Sequence, residues 1–170
     1  MDPRNIGHHW FAVQVRRGRE EVCARALAYK GYEGFLPTGR FSLSKFGEAH
    51  ARFVPLFPGY LFCRIGSQIT GLLMSTVGVV RIVGCGGIVS QISDDEISNI
   101  RLLVETRCRV SKSPYLRVGQ RVRITAGPLK GLEGLLVNVR NSRKLVLSVE
   151  TLQRSVAVEV DEDSTETFSS

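Results

Sequence analysis

The chain is poor in the residues that metalloenzymes and secreted scaffolds depend on. Its three histidines, His8, His9 and His50, have no metal-ligand spacing to cysteines or acids, which removes the usual zinc sites. The four cysteines, Cys23, Cys63, Cys85 and Cys108, lie far apart with no C-x-x-C pair. Reduced thiols are therefore expected rather than a disulfide framework. No apolar run approaches the length of a membrane span, and Met1-Asp2-Pro3-Arg4-Asn5-Ile6-Gly7 has no signal-peptide core, so the expectation is a cytoplasmic chain with no membrane partner. Gly84-Cys85-Gly86-Gly87 is glycine-rich but lacks the lysine and the helix start of a phosphate loop. Nothing near Cys85 in sequence is placed to activate its thiol. Together these absences argue for a non-enzyme without cofactor or metal.

What the chain does have is length for one ordinary domain or two small ones, at 170 residues. A hydrophobic content of 43% and an aromatic content of 8% are those of a soluble globular protein. The net charge of +7 favours an anionic partner without selecting one. Charge is unevenly spread. Residues 1–108 carry 13 basic and 9 acidic side chains, whereas residues 109–160 carry 10 and 3. The last ten residues hold Asp161, Glu162, Asp163 and Glu166 and no basic residue.

The most informative stretch is Pro55-Leu56-Phe57-Pro58-Gly59-Tyr60-Leu61-Phe62-Cys63-Arg64-Ile65. Two prolines stiffen its entry, Gly59 frees one backbone position, and Tyr60 to Ile65 has strand composition. Phe57 and Tyr60 flank this corner, which reads either as a capped core strand or as an aromatic pocket at a sheet edge. Upstream, Trp10 to Val15 reads as a strand, followed by Arg16-Arg17-Gly18-Arg19 and a helix over 20–30. In that helix Val22, Ala26 and Tyr29 form one stripe with Cys23 and Leu27 beside it, and Gly31 is placed to end it. Further strands are expected at 32–36 and 79–83. A hairpin is expected from 41–45 and 49–54 about Phe46-Gly47-Glu48, and a short helix within 68–76. Ser93-Asp94-Asp95-Glu96 is a capping box before a helix that carries Ile97, Ile100 and Val104 on one face and ends near Arg107.

Near Arg109 the texture changes. Residues 109–117 read as a short linker, and from 118 to 162 the pattern is period two: Val122/Ile124, Leu135/Val137/Val139, Leu145/Leu147/Val149, Val156/Val158/Val160. Short one-faced strands of this kind, with a hairpin at Arg140-Asn141-Ser142-Arg143, are expected to close into a small β-barrel. The acidic, Ser/Thr-rich residues 163–170 are expected to be disordered. The fold class is therefore α+β: an antiparallel sheet flanked by helices over 1–108, then a β-module.

These pieces resemble the NusG family of transcription elongation factors across nearly the whole chain. The N-terminal marks are Trp10, Phe57-Pro58-Gly59-Tyr60 and Gly78-Val79-Val80-Arg81-Ile82-Val83-Gly84. The C-terminal mark is the glycine-spaced KOW pattern from Gly119-Gln120-Arg121 through Gly127-Pro128-Leu129-Lys130-Gly131 to Gly134. The resemblance implies an NGN-type α/β sandwich joined by a linker to an SH3-like KOW β-barrel. Pro55-Leu56 and Arg16-Arg17-Gly18-Arg19-Glu20 look like the specialised RfaH, LoaP and UpxY group. Thr151-Leu152-Gln153-Arg154 replaces the Ile-Phe-Gly-Arg loop of the general factor, which argues against Rho as a partner and leaves Leu152 for ribosomal protein S10.

By that resemblance, a monomer binds the clamp helices of the largest RNA polymerase subunit and suppresses pausing. Trp10, Phe57, Pro58, Tyr60 and Phe62 are the implied polymerase contacts, with a core role the stronger alternative for Trp10. Arg16, Arg17 and Arg19 are candidates for the non-template DNA strand, against the alternative of a solvated cluster paired with Glu20 and Glu21. Arg40 and Arg52 are lesser candidates. In the KOW module Lys130, Leu152 and Arg154 are the candidate partner contacts, within a basic surface that includes Arg121, Arg123, Arg140, Arg143 and Lys144. Two other readings stand beside this one: a housekeeping factor that supports Rho-dependent termination, and a KOW-type RNA-binding or ribosome-associated protein.

Overall fold

The computed structural model describes residues 8–41, 53–66, 71–115, 119–139, 142–160 and 164–167. In chain order its elements are β1 (His9–Val15), α1 (Glu20–Tyr29), β2 (Glu33–Phe35), β3 (Thr38–Phe41), β4 (Phe53–Pro55), β5 (Tyr60–Ile65), α2 (Gly71–Met74), β6 (Val79–Ile82), β7 (Gly84–Cys85), β8 (Ile88–Val89) and β9 (Gln91–Ile92). There follow α3 (Asp94–Thr106), β10 (Arg109–Ser113), β11 (Gln120–Ile124), β12 (Glu133–Val139), β13 (Ser142–Val149), β14 (Arg154–Glu159) and β15 (Thr165–Thr167). Two compact units form, residues 1–37 with 57–94 and residues 38–56 with 95–170. The expected hairpin at Phe46-Gly47-Glu48, together with Arg52, His50 and Arg140, lies outside the described residues.

In the first unit β1 is the central strand. It pairs antiparallel with β5 on one side and with β6 and β9 on the other, and β2 extends the sheet beyond β5. Its apolar run explains that place, because Trp10 to Val13 are all buried and both faces of the strand are covered. Phe11, Val13 and Val15 join Leu61, Cys63 and Ile65 on one face, where Cys23 and Leu27 of α1 and Leu73 of α2 complete the core. Trp10 and Ala12 face the other way, with Phe62 opposite Ala12 and Ile92 opposite Trp10.

The helix α1 corrects its expected stripe. Its buried residues are Glu20, Cys23 and Leu27, spaced at three and four, whereas Val22 and Tyr29 are exposed. Rotation about the helix axis is set by two anchors that sequence patterning does not weigh. The Glu20 carboxylate accepts a buried hydrogen bond, and the Cys23 thiol donates to the Val77 carbonyl at 3.4 Å. These turn the Cys23–Leu27 line inward and Val22–Tyr29 out.

In the second unit the strands run β15-β11-β12-β13-β14-β10-β3-β4. This is an open path among the described strands and corrects the expected closed barrel. The segment read as the start of a linker pairs instead: β10 lies antiparallel to β14, from Val110↔Val158 to Ser113↔Ser155, and parallel to β3 at Arg109↔Arg40. Edge strands with unpaired N–H and C=O groups recruit such partners. β3 and β4, on either side of the segment about Phe46-Gly47-Glu48, pair antiparallel from Thr38↔Pro55 to Arg40↔Phe53. The acidic tail, expected to be disordered, contributes β15, which pairs with β11.

The capping-box helix is present as α3, with Ile97, Ile100 and Leu103 buried and Val104 only half-buried. Asn99 accepts the Glu133 N–H at 3.0 Å and Glu96 accepts the Glu150 N–H at 2.9 Å. So α3 is tied to the start of β12 and to the 3₁₀ turn at Glu150–Leu152.

Candidate functional site

One end of the first sheet gathers the sequence-marked residues into a single arrangement. The Phe57-Pro58-Gly59-Tyr60 corner turns at Gly59, whose φ of +86° is a conformation that other residues adopt at a cost. A Cβ at this position would stand 3.4 Å from the Arg17 Cγ. The Gly59 carbonyl accepts the Val15 N–H at 2.9 Å, and the Gly59 N–H donates to Glu20 Oε1 at 2.9 Å. Glu20 is 6% exposed, so this is a buried, charge-assisted bond at the first turn of α1, where the helix dipole also favours a carboxylate. Arg16 donates its N–H to the Gly78 carbonyl at 2.8 Å, and the Arg19 N–H closes a turn onto the Arg16 carbonyl at 3.0 Å. The loop from Arg16 to Arg19 is thus held at backbone level while Arg16, Arg17 and Arg19 stay exposed.

Glu20 was legible only as a neighbour of the arginines. Its role as the residue that fastens the loop to the corner comes from a contact 39 positions away in sequence. The signal available was its place at the first turn of a helix, which suits an acid without naming its partner.

The aromatic residues divide into two kinds. Trp10, Phe57 and Phe62 are 3%, 2% and 0% exposed and are core residues in this conformation. The Phe62 ring stands edge-on to Phe57 at 5.8 Å and tilted to Phe35 at 6.1 Å, in the range where aromatic pairs add to simple burial. Alternation does put Tyr60 and Phe62 on one face, as the sequence predicts, yet Tyr60 is only half-buried, as is Pro58. Tyr60 pairs across the ladder with Gln14, and Gln14 with Arg81 of β6, whose Nε donates to Gln14 Oε1 at 2.8 Å. A row of Tyr60, Gln14 and Arg81 therefore crosses three strands beside the arginine loop. Arg81 was visible only as part of a strand motif. Its neighbours in the row come from pairing that spans 67 positions.

The C-terminal candidates do not converge in the same way. Lys130 is exposed in the turn between β11 and β12, whereas Leu152 and Arg154 are half-buried at the connection from β13 to β14. The glycine-spaced pattern has a steric basis at Gly134, where a Cβ would come within 2.6 Å of the Val146 carbonyl oxygen. Arg121 and Arg123 are exposed on β11, Arg143 and Lys144 half-buried on β13. The Arg123 guanidinium engages the Glu133 carboxylate, and Lys144 Nζ lies 3.4 Å from Ser111 Oγ. Arg40 stacks over the Phe53 ring at 6.0 Å, a cation–π contact between β3 and β4.

The cysteines are unpaired thiols. Burial, with the Glu33 carboxylate adding to it, pushes the Cys63 thiol up to about 12. Burial and then Glu20 raise Cys23, with Arg19 pulling the other way. Both are thereby kept as neutral core residues. Cys85 is exposed at the end of β7. Among the described residues no helix is long and apolar enough to cross a membrane.

Residues 8–101, which span the whole first sheet and the arginine loop, match the family model described as transcription termination factor NusG. A transcription termination/antitermination protein NusG from Borreliella burgdorferi is 29% identical over 174 residues, covering 89% of this chain and 94% of that protein. Its counterpart from Chlamydia pneumoniae is 27% identical, covering 89% and 90%. A solved structure of Thermotoga maritima NusG shares the fold at a TM-score of 0.57 and 20% identity, covering 95% of this chain and 98% of that one. The class so defined is that of termination and antitermination factors of transcription, a class of regulators and not of known enzymes. The chain belongs to the NusG family.

Proposed function

We propose that this chain is a transcription elongation and antitermination factor that binds RNA polymerase at the clamp helices of the largest subunit and suppresses pausing. The observation that carries this reading is the fastening of the Phe57–Tyr60 corner to the arginine loop through the Glu20 carboxylate. It supports a surface in which Tyr60, Gln14 and Arg81 meet the protein partner while Arg16, Arg17 and Arg19 reach nucleic acid beside it. Trp10, Phe57, Pro58 and Phe62 then act mainly by shaping that surface from beneath. Bridging the clamp would disfavour its open, paused state by population shift. Three guanidiniums on a pinned loop suit phosphates or guanine edges of the displaced non-template strand.

In this reading residues 118–162 form a KOW module that recruits a second partner, with ribosomal protein S10 contacted through Leu152, Arg154 and Lys130. The curated relatives carry termination as well as antitermination in their names, which favours one second reading, a general factor that supports Rho.

A single-round transcription assay on a pause-containing template, run with and without Rho, tests the proposal. Wild type is expected to shorten pauses, and Tyr60→Ala to lose that effect while melting normally. Arg16, Arg17 and Arg19 replaced together by serine should abolish sequence-dependent loading and leave polymerase binding on other templates intact. Added Rho termination by the wild type would move the protein to the general class. No effect of the wild type with its own polymerase would sink the proposal and leave an RNA-binding role.

A further inference from the structure

One face of the second sheet carries a row of charged and aromatic side chains drawn from five strands. Lys144 of β13 pairs with Glu159 of β14. One step beyond Val110↔Val158, Arg109 of β10 comes beside that same Glu159. Arg109 pairs in turn with Arg40 of β3, and Arg40 with Phe53 of β4. Residues paired across a ladder point to the same face, so these five form a single line. Two contacts agree with that line. The Arg40 guanidinium stands 6.0 Å from the centroid of the Phe53 ring, and Lys144 Nζ lies 3.4 Å from the Oγ of Ser111, two residues along β10 from Arg109. The neighbouring positions Val110, Leu145 and Val158 are buried on the other face. In the row itself Phe53 is 55% exposed, Arg40, Arg109 and Glu159 are exposed and Lys144 is half-buried. Two arginines side by side on paired strands cost the fold stability, and an anion is what such a pair accommodates.

We propose that this row binds single-stranded RNA, in addition to what the arginine loop of the first sheet contacts. Neighbouring strands stand about 4.8 Å apart, so the line from Arg40 to Lys144 spans about 14 Å, room for a few nucleotides. The Arg40–Phe53 stack is a planar cationic platform on which an unpaired base can continue the stack. Arg109 and Lys144, further along the row, are placed to hold phosphates. Glu159 sets the choice of RNA over DNA. A carboxylate between two cations repels phosphate, but it accepts a hydrogen bond from a ribose 2′-OH, which DNA lacks. An acidic protein segment fits less well, because Glu159 repels its carboxylates and the exposed platform suits a planar base. A duplex fits less well too, because its base faces are already stacked.

The test uses the full chain with Arg16, Arg17 and Arg19 replaced by serine, so that the loop of the first sheet does not contribute. Its ligand is a fluorescein-labelled, mixed-sequence RNA of about 12 nucleotides, a length within the single-strand site range, followed by anisotropy. This parent chain should bind the RNA at low salt, and DNA of the same sequence more weakly. R109S/K144S should weaken RNA binding about tenfold and flatten the log–log salt slope by about 1.4, as expected for two lost phosphate contacts on a single strand. Phe53→Ala should weaken it about fivefold or more and leave that slope nearly unchanged. Glu159→Ala should erase the preference for RNA, chiefly by raising the affinity for DNA. Thermal melts check that each variant folds. Where one melts early, amide shifts in the parent chain replace it, and these should fall on Arg40, Phe53, Arg109, Lys144 and Glu159. Unmoved RNA affinity in R109S/K144S, or shifts confined to other elements, would overturn the proposal. Equal affinity for RNA and DNA before and after Glu159→Ala would overturn the assignment to RNA. Competition by a glutamate oligomer as strong as by unlabelled RNA would reassign the face to an acidic protein. Tighter binding of duplex RNA than of the single strand would overturn the stacking role of Phe53.

Discussion

The two sheets of this protein are built by different rules. In the first, β1 is buried on both faces through four consecutive residues, Trp10 to Val13, and β5 likewise through Leu61 to Cys63. In the second, β11 buries Val122 and Ile124 and exposes Arg121 and Arg123 between and beside them. A strand covered on both sides writes itself in sequence as an apolar run, and one covered on a single side as period two. The second sheet then departs from its own rule at its centre. Leu145, Val146 and Leu147 of β13 and Ser155 to Val158 of β14 are buried without a break. Both are interior strands, β14 being flanked by β13 and by β10. The doubly covered strands are thus the ones with little freedom to change, while β11 keeps one face open to solvent.

That contrast can be broken most directly at Phe62. Phe62→Ala removes a fully buried ring that touches Phe57 and Phe35, and a loss of about 3–5 kcal/mol is expected in urea unfolding followed by the fluorescence of the single tryptophan, Trp10. A loss below about 1 kcal/mol would show that the first sheet tolerates cavities and is not the rigid partner in the comparison. Next in size is Gly59→Ala. Its φ of +86° and the 3.4 Å approach to Arg17 predict a destabilisation of about 1–3 kcal/mol in thermal melts. An unchanged midpoint would mean that the corner is not fastened as described.

A smaller effect is expected from pH. Cys63 holds its proton more tightly folded than unfolded, its thiol being raised to about 12 by burial and Glu33. Between the ordinary thiol range and that value the unfolded chain has lost the proton and the folded one has kept it. Stability should therefore fall as pH rises from about 9 towards 12, with the contribution intact below that window. Cys63→Ala should flatten this part of a stability–pH curve although it is the less stable protein at neutral pH. A slope identical to wild type would place the alkaline loss elsewhere. The smallest change is expected on the open face of β11, where Arg121→Ser should stay within about 0.5 kcal/mol of wild type in chemical denaturation. A larger loss would mean that this face carries fold stability and is not a free surface.

Much of this protein was legible from its residues because local chemistry reports local structure. Trp10 to Val15, Tyr60 to Ile65 and Ile97 with Ile100 announced buried strands and a buried helix face through their periodicity. The family itself was carried by the proline-glycine corner and the glycine-spaced pattern near 119–134, positions where backbone geometry limits the choice of residue. Gly59 and Gly134 are such positions, one for its positive φ and the other for its approach to the Val146 carbonyl. What remained hidden were the relations between residues far apart in the chain. Periodicity placed Tyr60 and Phe62 on one face, but could not say that Phe62 is sealed and Tyr60 half-open. Composition marked 109–117 as a linker and the tail as disordered, yet 109–113 and 165–167 pair as strands. Free strand edges provided hydrogen-bonding groups that local propensity does not count. Helix α1 was rotated from its expected stripe by the Gly59–Glu20 and Cys23–Val77 contacts, each joining residues separated by tens of positions. The sequence by itself determined the principal strands and helices, the family and the location of charge. Only tertiary structure decided which aromatic is open, which carboxylate fastens the loop, and which edge the tail covers, because burial and pairing are properties of a surface that no single segment possesses.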